Sequence, residues 1–340
     1  MIVTYIRSSS YNNYAYCEMQ YFITYVLGYY GDSGKKAELG TIVHKVMECL
    51  AGLKKEYQDS STKSKKISID DDAIGNVSIL KSALLSSKLP DDLLDLSFDY
   101  YTKNSNNSFS ASDKKECKKL VWDTLNFNNG QFDPRNRNVI APEPHFDIPI
   151  EEDWAKYEYE IKGEKIHGQL AIKGTIDLVT KIDDDTIEVI DWKTGRRIDW
   201  ATGEEKTYAK LNNDAQLLLY NYAISKLFPE YKQAIMTIFF IKDGGPISLC
   251  FDRNDHDKFL NMLKNRFYEI QKNNTPKPIS EDRGNWKCTK LCHFCKNNWE
   301  NTNISMCKYI EDYIKNNGIN KAVNDLTKQD FNIGFYSSPG

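Results

Sequence analysis

The sequence predicts an α/β (α+β) fold, a central mixed sheet flanked by helices with helical insertions on its N-terminal side. Two observations carry this: helical periodicity dominates the first part of the chain, and strand-like alternation dominates from Val139 to Phe251. A third is size, since 340 residues with 40% hydrophobic content and 21 Tyr suffice for a substantial core.

Ile42, Val43, Val46, Met47 and Leu50 recur at helical spacing after the break Gly31-Asp32-Ser33-Gly34. Residues 58–72 read as an exposed polar loop, and helices are expected over 78–96 and 113–125 on either side of an Asn/Ser-rich segment. Strands are expected over 139–150, 157–166, 171–181 and 186–193, then a helix over 212–227. Strands 234–241 and 247–251, a helix over 255–272 and a last helix over 305–316 complete the reading. A single domain is expected, with a helical part (1–135), a core (136–275) and a cysteine-bearing C-terminal segment (276–340).

Forty-five Lys+Arg against 48 Asp+Glu leave a net charge of −3, so any nucleic-acid site must be a local patch. The N-terminus lacks a basic region followed by a long apolar run, and nowhere do about 18 apolar residues run together. The expectation is a soluble, cytoplasmic protein with no membrane partner. Abundant Asn, Lys, Tyr and Ile suggest an AT-rich genome, such as that of a phage or mobile element.

The chemistry concentrates in the runs 173–181 and 186–193, which flank Asp183-Asp184-Asp185 and read as a β-hairpin. A turn centred on Asp184 sets Asp177 opposite Asp191. Alternation then places Asp177, Val179, Val189, Asp191 and Lys193 on one face, and Ile176, Leu178, Ile190 and Trp192 on an apolar face. Opposed carboxylates with Cβ atoms roughly 5 Å apart destabilise a hairpin unless a positive group lies between them. A hard divalent cation, Mg or Mn, is one such group, and Lys193 then stands where it can orient or deprotonate a water that attacks a phosphodiester. An ordinary ion pair of Lys193 with both acids on a solvated face explains the same residues, and the hairpin alone leaves both open.

With these residues in place, the sequence resembles the PD-(D/E)XK nuclease superfamily and, within it, the RecB-like group of recombination and CRISPR-adaptation nucleases. Four motifs occur in the family's order. Gly40-Thr41-Ile42-Val43-His44 is similar to GxxxH, Gly174-Thr175-Ile176-Asp177 to GxxD, Asp191-Trp192-Lys193-Thr194-Gly195 to DxKTG, and Gln216-Leu217-Leu218-Leu219-Tyr220 to QxxxY. The resemblance implies a restriction-endonuclease-like core. It implies that His44, Asp177, Asp191 and the Trp192 main-chain carbonyl hold the metal and that Lys193 is catalytic. It further implies that Gln216 and Tyr220, on one helix face, position the strand and the active-site groups. Glu143 matches an acidic position before GxxD or is a surface glutamate; Arg196 and Arg197 are phosphate contacts or solvated loop charges.

Cysteines divide into scattered ones (Cys49, Cys117, Cys250), read as small buried apolar residues, and a dense group at Cys288, Cys292 and Cys295 with Cys307 beyond. Three thiols so close suit one metal or cluster. The resemblance implies that an upstream cysteine, here Cys17, joins three C-terminal ones around a [4Fe-4S] cluster, with a stabilising effect of roughly 5 kcal/mol from loop closure. The spacing departs from the family's, so Cys17 with Cys288, Cys292 and Cys295, or a set including Cys307, both remain, as does zinc with His293 as a lesser candidate. The resemblance implies a DNA nuclease, foremost an exonuclease on ends or single strands; since no GxxxxGK[ST] motif supplies a motor, it is expected to act alone or with a separate helicase or recombination protein. The alternative from another class is a non-catalytic DNA-binding module retaining the fold.

Overall fold

In the computed structural model, which describes residues 1–198, 203–279 and 285–329, the chain forms two compact units. One comprises Ser33–His145 and Thr175–His256; the other comprises Met1–Asp32, Phe146–Gly174 and the described part of Asp257–Gly340. The remainder of the expected 276–340 segment lies outside the described residues.

The first unit is built, among the described residues, on a five-stranded mixed sheet. Its strands are β1 (Val139–Pro142), β2 (Leu178–Lys181), β3 (Thr186–Lys193), β4 (Gln233–Phe240) and β5 (Gly245–Phe251), in the order β5-β4-β3-β2-β1. Neighbours are antiparallel except β3 and β4. A parallel pair needs a crossover, and helix α4 (Ala215–Leu227) supplies it. Over one face lies α1 (Lys35–Asp59), with α2 (Leu89–Asn104) and α3 (Ala111–Asn126) packed against it. Ile42, Val46, Met47 and Leu50 of α1 join Leu178, Ile190, Trp192 and Phe239 of the sheet in one core, so the apolar stripe read from the sequence faces the expected apolar side of the hairpin. The start of α3 is fixed by a capping box between Ser110 and Asp113.

The β2–β3 ladder has the expected register: Lys181 pairs with Ile187, Val179 with Val189 and Leu178 with Ile190. It stops at Leu178. Upstream, the Ile176 N–H bonds Pro144 O and the Glu143 N–H bonds Asp177 O, so Asp177 leaves the ladder before it would pair with Asp191. The opposite face is charged at one end, as expected, and buried at Val179, Val189 and Asp191, while Asp177 and Lys193 stay partly exposed. Val179 and Val189 are at most 1% exposed because β3 is a central strand with a parallel neighbour and a crossover helix.

Other elements differ from the expectation for local reasons. Residues expected as loop and then helix form a hairpin, Lys66–Asp71 with Gly75–Leu80, whose turn closes when the Asp71 carboxylate accepts the Ala73 and Ile74 N–H groups. The strand expected over 157–166 is likewise a hairpin, Lys156–Ile161 with Glu164–Gln169, turning at Lys162 and Gly163 with positive φ at both. The strand over 139–150 breaks at Glu143 (φ 43°) and resumes at His145–Pro149. The strands and helix expected from residue 234 to 272 are present as β4, β5 and Asp255–Lys272.

The second unit, among the described residues, pairs Tyr5–Ile6 in parallel with Ala171–Thr175, which lies beside His145–Pro149. Short helical turns surround its cysteines: Ser8–Tyr16, Glu18–Tyr21, the π-helix Lys287–Leu291, His293–Lys296 and Met306–Asn317. Gly174 belongs to the GxxD motif because a Cβ there would lie 2.5 Å from Phe146 Cζ.

Candidate active site

Asp191 and Lys193 alternate to the same side of β3 at its C-terminal end. Lys193 Nζ lies 2.6 Å from Asp191 Oδ2, and Gln216 Nε2 donates to Asp191 Oδ1 at 3.1 Å. Asp177 approaches from the end of β2, where Oδ2 accepts the Trp192 N–H at 2.8 Å and Oδ1 lies 3.3 Å from His44 Nδ1. Asp191 Oδ2 is buried with no hydrogen-bond partner beyond the Lys193 ion pair, while the other three carboxylate oxygens each have a hydrogen-bond partner. Trp192 contributes its backbone here while its indole is buried in the core.

The second tier is equally specific. Gln216 Nε2 also donates to Tyr220 Oη (2.9 Å), and Tyr220 Oη donates to Thr175 O (2.8 Å), so the two residues one helical turn apart tie α4 to the acid pair. Asp214, the N-cap of α4, accepts the Gln216 N–H at 2.8 Å and fixes the helix start there instead of at residue 212. Gly40 is needed for close approach, since a Cβ on it would stand 2.8 Å from Thr194 Oγ1. That contact brings the start of α1, and with it His44, against the Lys193-Thr194 turn.

Crowding separates the two acids. Burial raises the pKa of Asp191, and the pull of Lys193 only partly offsets it, so its net shift is upward. Burial also acts on Asp177, but His44, Lys193 and the Trp192 N–H outweigh it and hold that carboxyl low. For both His44 and Lys193 burial works against the charged form, yet the neighbouring acids prevail and both are shifted upward. Tyr220 is pushed far up by burial and then by Asp191, which keeps its phenol a hydrogen-bond donor.

Glu48, unremarked from the sequence, lies one turn after His44 on α1. It contacts Lys45 Nζ at 2.5 Å, and Lys45 in turn reaches Asp71 at 2.9 Å. Burial and then a hydrogen bond to Glu143 raise Glu48 to about 8. The His44, Glu48 spacing of four was the available signal for it. Glu143 sits against Asp177 through the backbone bond described above, so the position left aside in the sequence reading adjoins the acid pair. Arg197 is engaged by Glu205 and by Asp243, whose carboxylate accepts its N–H at 2.7 Å; Arg196 is exposed.

Among the described residues no three His, Cys, Asp or Glu side chains are closed around a single-ion position. The donor chemistry nevertheless fits a hard cation: two carboxylates and an imidazole converge, and the acid oxygens are held by groups that already supply positive charge or N–H.

Cys17, Cys288, Cys292, Cys295 and Cys307 all line one partly open cavity, with Tyr16, Lys287 and Phe294. Cys295 is pulled down by a hydrogen bond with Cys292, but a second with Cys307 and burial outweigh it and hold the thiol at about 12. The same Cys292–Cys295 contact and burial push Cys292 upward. Burial raises Cys17 also, against the Gln20 N–H that its sulfur accepts at 3.4 Å. The donors are all soft thiols, which fits an iron-sulfur cluster or zinc. His293 instead bonds the Asn297 amide at 3.0 Å. Of the scattered cysteines, Cys49 and Cys117 are buried as expected, whereas Cys250 is exposed on β5.

Two converging acids, with a lysine two residues after one of them on a central strand, form the kind of site that hydrolyses phosphodiesters. The profile of the PD-(D/E)XK nuclease superfamily matches residues 8–299, and the chain belongs to that superfamily. A crystal structure of a Eubacterium rectale protein, provisionally named an exonuclease, is similar at 12% identity over 88% of this chain and 90% of that one, with TM-score 0.45. The crystal structure of SSO0001 is similar at 13% identity over 76% of this chain and 92% of that one, with TM-score 0.25. Among curated proteins none matches. Among the described residues no helix is long and apolar enough to cross a membrane.

Proposed function

We propose that the protein is a Mg- or Mn-dependent deoxyribonuclease of the RecB-like group, an exonuclease acting on DNA ends or single strands in recombination, repair or DNA processing. The observation that carries this is the Asp191–Lys193 contact of 2.6 Å with Asp177 bound to the intervening Trp192 N–H. His44, Asp177, Asp191 and the Trp192 carbonyl would hold the cation, with Glu143 and Glu48 beside them. Bound there, the cation would acidify a water and neutralise phosphate charge.

The chain's own groups do the rest. Lys193, held protonated by the acids beside it, stabilises the negative charge that develops on the phosphate. Gln216 keeps Asp191 aligned, and Tyr220 keeps Gln216 aligned. In the thiol cavity we place a [4Fe-4S] cluster on Cys17, Cys292, Cys295 and either Cys288 or Cys307, which ties the N-terminal segment to the C-terminal one. A separate helicase or recombination protein would supply unwound strands.

Cleavage of end-labelled single- and double-stranded DNA with Mg or Mn tests the reading. Asp191→Ala and Lys193→Ala are each expected to lower the rate about a thousandfold, the scale of removing a charge-stabilising group. Wild-type protein that binds DNA without cutting it would leave only the DNA-binding module. Anaerobically purified protein should absorb near about 400 nm; a colourless protein with stoichiometric zinc would sink the cluster.

A further inference from the structure

His145 ends one stretch of the first unit and Thr175 begins the other, and the two meet at the edge of the acid site. Past the end of β1 the chain keeps its register with the segment that leads into β2. Pro142 pairs with Leu178, the Glu143 N–H bonds Asp177 O and the Ile176 N–H bonds Pro144 O, which carries the pairing on to His145 and Thr175. There the side chains meet: His145 Nδ1 lies 2.8 Å from Thr175 Oγ1.

Thr175 is bound into the acid site by its carbonyl, which accepts the Tyr220 hydroxyl at 2.8 Å. It also precedes Asp177 by two residues, a span of at most about 7 Å, and the buried Ile176 between them leaves both partly exposed on the other side. That side is the open rim of the site: the side chains of Asp177, His44 and Lys193 are 18%, 31% and 33% exposed, against 4% for Asp191. His145 is exposed next to this rim, and its Nε2 has no partner among the described residues. Glu143, the nearest acid of its own segment, is engaged with Glu48.

We propose that His145 Nε2 contacts the phosphate next to the scissile one, with Thr175 holding the ring. This rests on the reading of the site as a nuclease centre and adds a residue that places the strand. The Thr175 hydroxyl can donate to Nδ1, which leaves the proton on Nε2, the nitrogen that a phosphate oxygen would meet. Neighbouring phosphates of a strand stand about as far apart as two residues of extended chain. A strand with its scissile phosphate over Asp177 and Lys193 therefore brings the next one within reach of the imidazole. Such a contact is equally strong before and during the reaction, so it acts on KM and leaves kcat alone.

The test is cleavage of end-labelled single-stranded DNA in Mg over a range of substrate concentrations, with fluorescence anisotropy of the same strand in Ca as the binding arm. His145→Ala should raise KM and the Kd in Ca about tenfold, the loss of one hydrogen bond to a charged group, with kcat within about twofold. His145→Gln, which can return an N–H at the outer position, should recover most of the affinity. His145→Asn, which can return only the bond to Thr175, should not. A neutral methylphosphonate moved along the strand should, at one position beside the cleaved bond, cost wild type about tenfold and His145→Ala nothing further. Unchanged KM and Kd would overturn the contact, as would the lack of any such position. Rescue by Asn and not by Gln, or a fall in kcat and melting temperature at constant KM, would reduce His145 to a seam between two segments. Wild type that cleaves with a KM indifferent to His145 sinks this contact alone. Binding that depends on His145 without cleavage sinks the nuclease reading and leaves the contact standing.

Discussion

Asp191 and Cys295 are each crowded by groups of their own kind, yet the two surroundings answer that crowding differently. Around Asp191 the answers are built in: Lys193 on one oxygen, Gln216 on the other, and His44 with the Trp192 N–H on Asp177. Around Cys295 the neighbours are other thiols, Cys292 and Cys307, whose S–H groups are weak donors. The acid site is thus organised by its sheet and helices before anything binds. In the proposed reading the thiol cavity would gain comparable order from a soft acceptor shared by its sulfurs.

That contrast can be broken first at the cysteines. Cys17→Ser should remove the visible absorbance and lower stability by about 5 kcal/mol, the loop-closure scale for a cross-link between chain segments this far apart. Asp191→Ala should leave the absorbance unchanged. Cys288→Ser and Cys307→Ser, compared by iron content, sharpen the ligand set: the one that retains the cluster is not a ligand.

A second lever is Glu48, whose folded pKa of about 8 stands above its ordinary value of 4.5. A raised pKa means that the folded state holds the proton more tightly. The resulting stability is complete below pH about 4.5 and is lost as pH rises toward about 8, by at most about 1.4 kcal/mol per pH unit. Denaturant melts across that window should show this fall in wild type and a flatter profile in Glu48→Gln. A smaller effect is expected from Tyr220→Phe, which gives up the bonds to Gln216 and Thr175. The loss should be about 1 kcal/mol in stability, with cleavage slowed about tenfold. An unaffected rate would remove Tyr220 from the positioning of Asp191.

The acid site was legible in unusual detail because an acidic turn sets a hairpin register, and register with alternation places side chains. Asp191 and Lys193 follow from register and alternation, Gln216 and Tyr220 only from the family resemblance, and the GxxxH glycine makes sense once Thr194 is seen against it. What could not be read was anything set by a distant segment. A single strand does not reveal that a parallel neighbour and α4 bury the face that Val179 and Val189 share with the acids. Glu48 has no meaning until Glu143 turns back at φ 43°. The hairpin 66–80 was hidden because its strands are exposed and polar on most positions, leaving Ile67 as its fully buried anchor. In the cysteine unit, spacing left open whether Cys17 joins Cys288, Cys292 and Cys295 or a set that includes Cys307, and folding brings all five to the same cavity.

The most direct test of the central claim is single-turnover cleavage of end-labelled DNA by Asp191→Asn, a change that keeps shape and removes charge, at saturating Mg. The expected rate is about a thousandfold below wild type, with DNA affinity, melting temperature and cysteine-site metal content all retained. Cleavage within a few-fold of wild type would contradict it and place the chemistry elsewhere.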